Sequence, residues 1–123
     1  GLPAGMYAIE LDDTRITEIT AEQLATGTNL AAAALQAGPI ADQVKTVRAA
    51  VENKNRYHHD MIFRGIVLSS VPDWIYSVVP QAELEVKKQA VIQERLASLA
   101  AMDAEISQTL RMKAHTVEIV PVK

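Results

Sequence analysis

From Pro39 to Lys113 the apolar residues recur at spacings of three and four, and the pattern breaks once, across a segment with prolines at positions 72 and 80. A proline inside a helix removes a backbone hydrogen bond and clashes with the carbonyl four residues back, so one helix cannot run through residues 66–80. The chain is therefore committed to two long helices and a connector. In the first, Ile40, Val44, Val47, Val51, Lys54, His58 and Met61 or Ile62 make a stripe ending near Gly65. Pro39, after Gly38, suits the first helical position, where its missing N–H costs nothing. In the second, Leu84, Lys88, Ile92, Leu96, Leu99, Met102 or Asp103, Ile106 and Leu110 repeat the stripe. Glu83 and Glu85 at its start, with Arg111 and Lys113 at its end, complement the helix dipole, and Glu83 to Lys87 is a favourable i,i+4 pair. Two such stripes predict an antiparallel helical hairpin with arms on the order of 40 and 50 Å.

Both ends of the chain read as strand. Tyr7, Ile9 and Leu11 alternate with Ala8 and Glu10, Asp12-Asp13 is a turn signal, and Thr14 to Ile19 is rich in β-branched residues suited to the return. Thr20-Ala21-Glu22-Gln23 has capping-box spacing and Gly27 the place of a helix stop. From His115 to Val122 the alternation returns through Val117, Ile119 and Pro121, an edge-strand pattern. The expected fold is α+β and helix-dominated: a long antiparallel helical hairpin with a small antiparallel β-sheet formed by the N-terminal hairpin and the C-terminal strand. The elements are a β-hairpin over about 6–19, a short helix over 21–26, helices over 39–64 and 81–113, a connector over 65–80 and a strand over 115–122, read as a single domain spanning 1–123.

Composition narrows the chemistry. With no cysteine, thiol catalysis, CxxC redox motifs and Cys-ligated zinc are excluded. A net charge of −3 without a clustered basic face argues against a nucleic-acid partner. Hydrophobic residues make up 49%, but nineteen of the residues are alanine and aromatics are only 4%, which favours helix and a thin core. No charge-free apolar run approaches the roughly 18 residues of a membrane span. The opening Gly1-Leu2-Pro3-Ala4-Gly5 has neither initiator Met nor leader pattern, so the chain is expected to be a processed product or a piece of a longer protein.

The titratable and nucleophilic residues offer little. Adjacent residues on a helix project about 100° apart, so His58 and His59 of His58-His59-Asp60 cannot share a metal on one face. His58 is expected on the apolar stripe with His59 beside it, and His115 has no partner identified by a motif. Ser69 and Ser70 lie between Leu68 and Val71, outside any GxSxG or Gly-Asp-Ser setting. Asp12, Asp13, Glu83, Glu85, Asp103 and Glu105 read as turn formers and solvated helix surface. No catalytic, cofactor-binding or metal-ligating residue is therefore expected. The one feature that competes with a bland reading is Trp74-Ile75-Tyr76, which holds the only tryptophan of the chain among valines. It is expected either to fold over the hairpin end as core or to anchor a partner or acyl chain.

The order of elements resembles a known group. Gly1-Leu2-Pro3-Ala4-Gly5-Met6-Tyr7-Ala8-Ile9-Glu10-Leu11-Asp12, the segment Thr20 to Leu30, and Gly38-Pro39-Ile40 with Gln43-Val44, Val47, Lys54-Asn55 and Tyr57-His58 to Arg64 are similar to the C-terminal region of bacterial SGNH (GDSL-type) hydrolases. The stretch Leu110-Arg111 to His115-Thr116-Val117-Glu118-Ile119 resembles their closing helix and strand. The family's catalytic Ser, oxyanion-hole Gly and Asn, and Asp-x-x-His pair lie upstream of this region, and none maps onto a residue here. The resemblance implies a non-catalytic accessory domain of an esterase-like enzyme in an extracytoplasmic compartment. It would pack on the N-terminal hydrolase domain of its own or a neighbouring chain, with Trp74 helping to wall the substrate entrance. The rival expectation is an autonomous interaction module that forms a homodimer through its stripes.

Overall fold

The computed structural model describes residues 1–123 and is an α+β fold rich in helix, with one three-stranded antiparallel sheet. Its contacts divide the chain into two compact units, residues 1–47 with 110–123 and residues 48–109.

In the first unit, β1 (Met6–Leu11) and β2 (Thr14–Thr20) are joined by Asp12-Asp13, with φ of 49° and 64°. A two-residue turn with both φ positive matches the twist of the strands, and Asp tolerates that region better than most residues. β3 (Val117–Pro121) pairs with the other side of β1, giving the order β2-β1-β3. As the middle strand, β1 buries Tyr7, Ala8, Ile9 and Leu11. Ala8 was expected on an open face; its complete burial shows that β1 is covered on both sides. On the edge strand the outcome differs: Val117 and Ile119 are 56% and 47% exposed although they pair with Leu11 and Ile9.

The β1–β2 register slips by one after Ile9↔Thr17 to Glu10↔Arg15, leaving Ile16 as a bulge. A Cβ on Gly38 would stand 3.1 Å from Cγ2 of Ile16, a tight approach that Ile16 would have to relieve, and φ +84° is a backbone conformation that favours glycine there. Next to the sheet, α1 (Ala21–Thr26) begins with the capping box: the Thr20 hydroxyl accepts from the Gln23 N–H at 3.1 Å, and Gln23 Oε1 accepts from the Thr20 N–H at 2.8 Å. The short α2 (Ala31–Ala34) has its first N–H donated to Asn29 Oδ1. The helix α3 (Pro39–Tyr57) opens at Pro39, and Gln43 of this unit donates to the Arg111 carbonyl at 3.1 Å.

The second unit holds the rest of α3, a π-helical segment (His58–Val67), a 3-10 turn (Asp73–Ser77) and α4 (Gln81–Thr109). Lys54 pairs with Asp103, and Arg95 donates to the Met61 carbonyl, so the partner recedes as the first arm advances: the arms are antiparallel. Their facing sides are close to the two stripes, with instructive slips. Val51 and His58 are exposed, while Ala50, Lys54 and Tyr57 are half-buried and Ile62 and Ile66 buried. Val51 is off the covered side within regular α-helix, and His58, two turns on, follows it; the π-helical segment then carries the covered side from Tyr57 to Ile62, a step of five. On α4, Leu96 is 41% exposed and Arg95 and Ser98 turn inward instead.

Gly65 belongs to that π geometry. A Cβ there would lie 2.8 Å from the Asp60 carbonyl oxygen and 3.4 Å from a guanidinium nitrogen of Arg95. The absent side chain thus lets Arg95 reach the backbone. Glu83 and Lys87 form their pair at 2.8 Å, but α4 ends at Thr109, so Arg111 and Lys113 lie beyond it and its last turn carries no cation.

Candidate functional site

A candidate site lies within the second unit, where the connector turns back. The π-helical segment closes when the Leu68 N–H donates to the Phe63 carbonyl at 2.8 Å, and the Ser69 hydroxyl caps the Ile66 carbonyl at 2.8 Å. Pro72 cannot extend the segment; its carbonyl accepts the Ile75 N–H at 3.0 Å and starts the 3-10 turn. Pro80 then presents its carbonyl to the Leu84 N–H at 3.1 Å and launches α4. These stops leave a cavity of about 530 Å³ between the π-helical segment, the connector and the first turns of α4.

Its apolar wall comes from Ile66, Val71, Tyr76, Leu84 and Val91, and its polar groups include Ser70, Lys88 and Arg95. On α4, Leu84, Lys88, Val91 and Arg95 follow one another at spacings of three and four, hence on one face. Lys88 and Arg95 are half-buried, whereas the two lining carboxylates, Asp73 and Glu85, are exposed. Lys87 also borders the cavity but is engaged by Glu83.

Of Trp74, Ile75 and Tyr76, the candidate anchors for a partner, Tyr76 lines this cavity and the other two do not. Trp74 is 66% exposed and Ile75 half-buried, so the tryptophan does not close the hairpin end as core.

His58-His59-Asp60 stands on the exposed side of the π-helical segment. His59 Nδ1 is 2.9 Å from Asp60 Oδ1, and its ring lies 6.1 Å from that of Phe63. Nowhere do three His, Asp or Glu side chains converge as metal ligands would.

In the first unit, sequence reasoning missed the partner of His115. Its Nδ1 is 2.7 Å from Oδ2 of Asp12, while Oδ1 of the same carboxylate accepts the Thr116 N–H at 2.8 Å. The Asp12 N–H in turn donates to the Thr116 carbonyl at 3.0 Å. The His115 hydrogen bond, then that from Thr116, holds the Asp12 carboxyl below its ordinary value. No motif links residues so far apart; the signal available was that a strand beginning after His115 and pairing with β1 ends opposite the Asp12 turn. The pair straps the approach to β3 onto the β1–β2 turn. Ser69 is committed to Ile66, and Glu83 and Asp103 to lysines.

What the connector presents is an apolar wall with two half-buried cations, Lys88 and Arg95. No protein-family model matches the chain, and neither a curated protein nor a solved structure does.

Proposed function

We propose that this chain is a non-catalytic accessory domain of an SGNH-like, ester-hydrolysing enzyme, and that its helical hairpin docks on the hydrolase domain of its own or a neighbouring chain. The observation that carries the reading is how little of the second unit is covered. Only Ile62, Ile66 and Leu99 are buried in it, while Leu68, Trp74, Val78 and Val86 are 63%, 66%, 68% and 70% exposed. Two helices laid side by side cover one stripe each, so Val86 elsewhere on α4 and the apolar residues of the connector are left open to a further layer. The resemblance of residues 1–12, 20–30 and 38–64 to the C-terminal region of those hydrolases supplies the nature of that layer. Docking rather than chemistry also fits a connector in which the Ser69 hydroxyl is donated to the Ile66 carbonyl and neither serine is hydrogen-bonded to a side-chain base.

The test is the coding sequence ahead of the Gly1 codon. A Gly-Asp-Ser block followed by an Asp-x-x-His pair in the same frame is expected. A start codon close to Gly1 with no such block would overturn the reading in favour of an autonomous interaction module. A second measurement addresses the absence of chemistry: the chain alone should not hydrolyse p-nitrophenyl acetate, and turnover lost on Ser69→Ala/Ser70→Ala would show a catalytic role after all.

A further inference from the structure

We propose that the cavity beside the connector is a binding site for an aliphatic monocarboxylate, with the carboxylate held by Lys88 and Arg95 and the tail along Ile66, Val71, Leu84 and Val91. The inference does not depend on the docking reading above, since every group it uses lies in residues 65–95. Its volume of about 530 Å³ falls in the range of small-molecule pockets, which are mostly apolar with a few placed polar groups.

Charge selects the head group. Lys88 is half-buried at the cavity and has no carboxylate partner in this chain, whereas Lys45, Lys54 and Lys87 each have one. A partly desolvated ammonium without a counter-charge favours an anion. Arg95 spends one guanidinium nitrogen on the Met61 carbonyl, and the fork has other N–H groups to offer. Ser70 adds a hydroxyl that no protein group engages, while the Ser69 hydroxyl is already donated. The carboxylates Asp73 and Glu85 are exposed, so their charge is screened relative to that of the half-buried cations. The apolar wall selects the tail: a polar anion such as inorganic phosphate leaves it wet, and a neutral alcohol leaves Lys88 unmatched.

The experiment is a titration of the full 123-residue chain with butanoate, hexanoate, octanoate and octanol, followed by amide chemical shifts and calorimetry. Octanoate is expected to move the amides of Ser69, Ser70 and Lys88, and each added methylene to tighten binding about threefold to fourfold. Octanol is expected to bind at least about tenfold more weakly, and Lys88→Met, which keeps the apolar stem, to weaken octanoate about tenfold. Lys113→Met removes the same charge elsewhere and is expected to leave binding unchanged. Equal affinity of wild type and Lys88→Met, octanol binding as tight as octanoate, shifts confined to other regions, or no binding at millimolar octanoate overturns the assignment. A Lys88→Met protein that keeps its melting temperature excludes loss of fold as the cause. None of these failures touches the docking reading, which is decided by the upstream coding sequence.

Discussion

Asp12 and His115 stand 103 positions apart in the chain, yet the Nδ1 of the histidine lies 2.7 Å from a carboxylate oxygen of the aspartate. With the two hydrogen bonds that Asp12 exchanges with Thr116, this contact fixes the approach to β3 against the β1–β2 turn. One residue therefore works both as a turn former and as a clamp.

The clamp makes an acid-dependent contribution to stability with a definite sign. The carboxyl of Asp12 is held below 3.8 in the folded chain, chiefly by the His115 hydrogen bond. Its stabilisation is complete above 3.8 and is lost as pH falls through the lowered folded value. Asp12→Asn should melt below wild type at about pH 5, and the two melting curves should converge as pH is taken below that range. A gap that stays constant with pH would remove the charge from the account.

Asp13 is the part of the turn with no such duty. It has φ 64°, where a Cβ is a burden. Asp13→Gly should stabilise the chain by about 0.5 kcal/mol, the relief of the left-handed conformation exceeding the entropy of the extra glycine. A urea midpoint that falls would mean that the Asp13 side chain contributes more than its backbone costs.

Gly38 combines two constraints that a double-mutant cycle separates. Gly38→Ala should cost about 1–2 kcal/mol, from φ +84° and from the 3.1 Å approach to Ile16. In an Ile16→Ala background the steric part disappears and about 1 kcal/mol should remain. Equal costs in both backgrounds would show that Ile16 moves aside freely.

Gly65 and Arg95 should act as a pair on the π-helical segment. Gly65→Ala places a methyl group 2.8 Å from the Asp60 carbonyl oxygen, which as backbone cannot swing away, and should cost about 1–3 kcal/mol. Arg95→Met removes the bond to the Met61 carbonyl. Faster hydrogen exchange at the amides of residues 63–68 is expected in both variants. Exchange unchanged in both would mean that the π geometry is held by neither residue.

Local signals were legible and their consequences hold. Pro72 and Pro80 stand just before the 3-10 turn and α4 and start them for a reason internal to the residue, and Thr20 with Gln23 forms its box within four positions. Asp12-Asp13 makes the turn, and residues 54–61 of the first arm run antiparallel to residues 95–103 of the second. What was illegible depends on packing or on a change of helical geometry. The covered side passes from Tyr57 to Ile62 and Ile66 because the turns there are π-helical, a step of five that the apolar spacing of three and four does not encode. Ala8 is buried because β1 is covered on both faces, and the strand pattern alone describes one. At the candidate site, Tyr76 was singled out for its aromatic ring and does line the cavity. Lys88 was placed on a stripe with no role, since a lysine among apolar positions is ordinary unless its surroundings are known.

The bond from the Val122 N–H to the Met6 carbonyl closes the sheet like a clasp, and the chain makes one long excursion, residues 21 to 116, between β2 and β3. Closing such an excursion costs only about 0.6 kcal/mol more each time its length doubles. Matched turns added to or removed from both helical arms are therefore cheap, while one residue added within β1 would reverse the faces of the strand. The reach of the hairpin is thus the dimension most open to change over time, and the clasp the one least open.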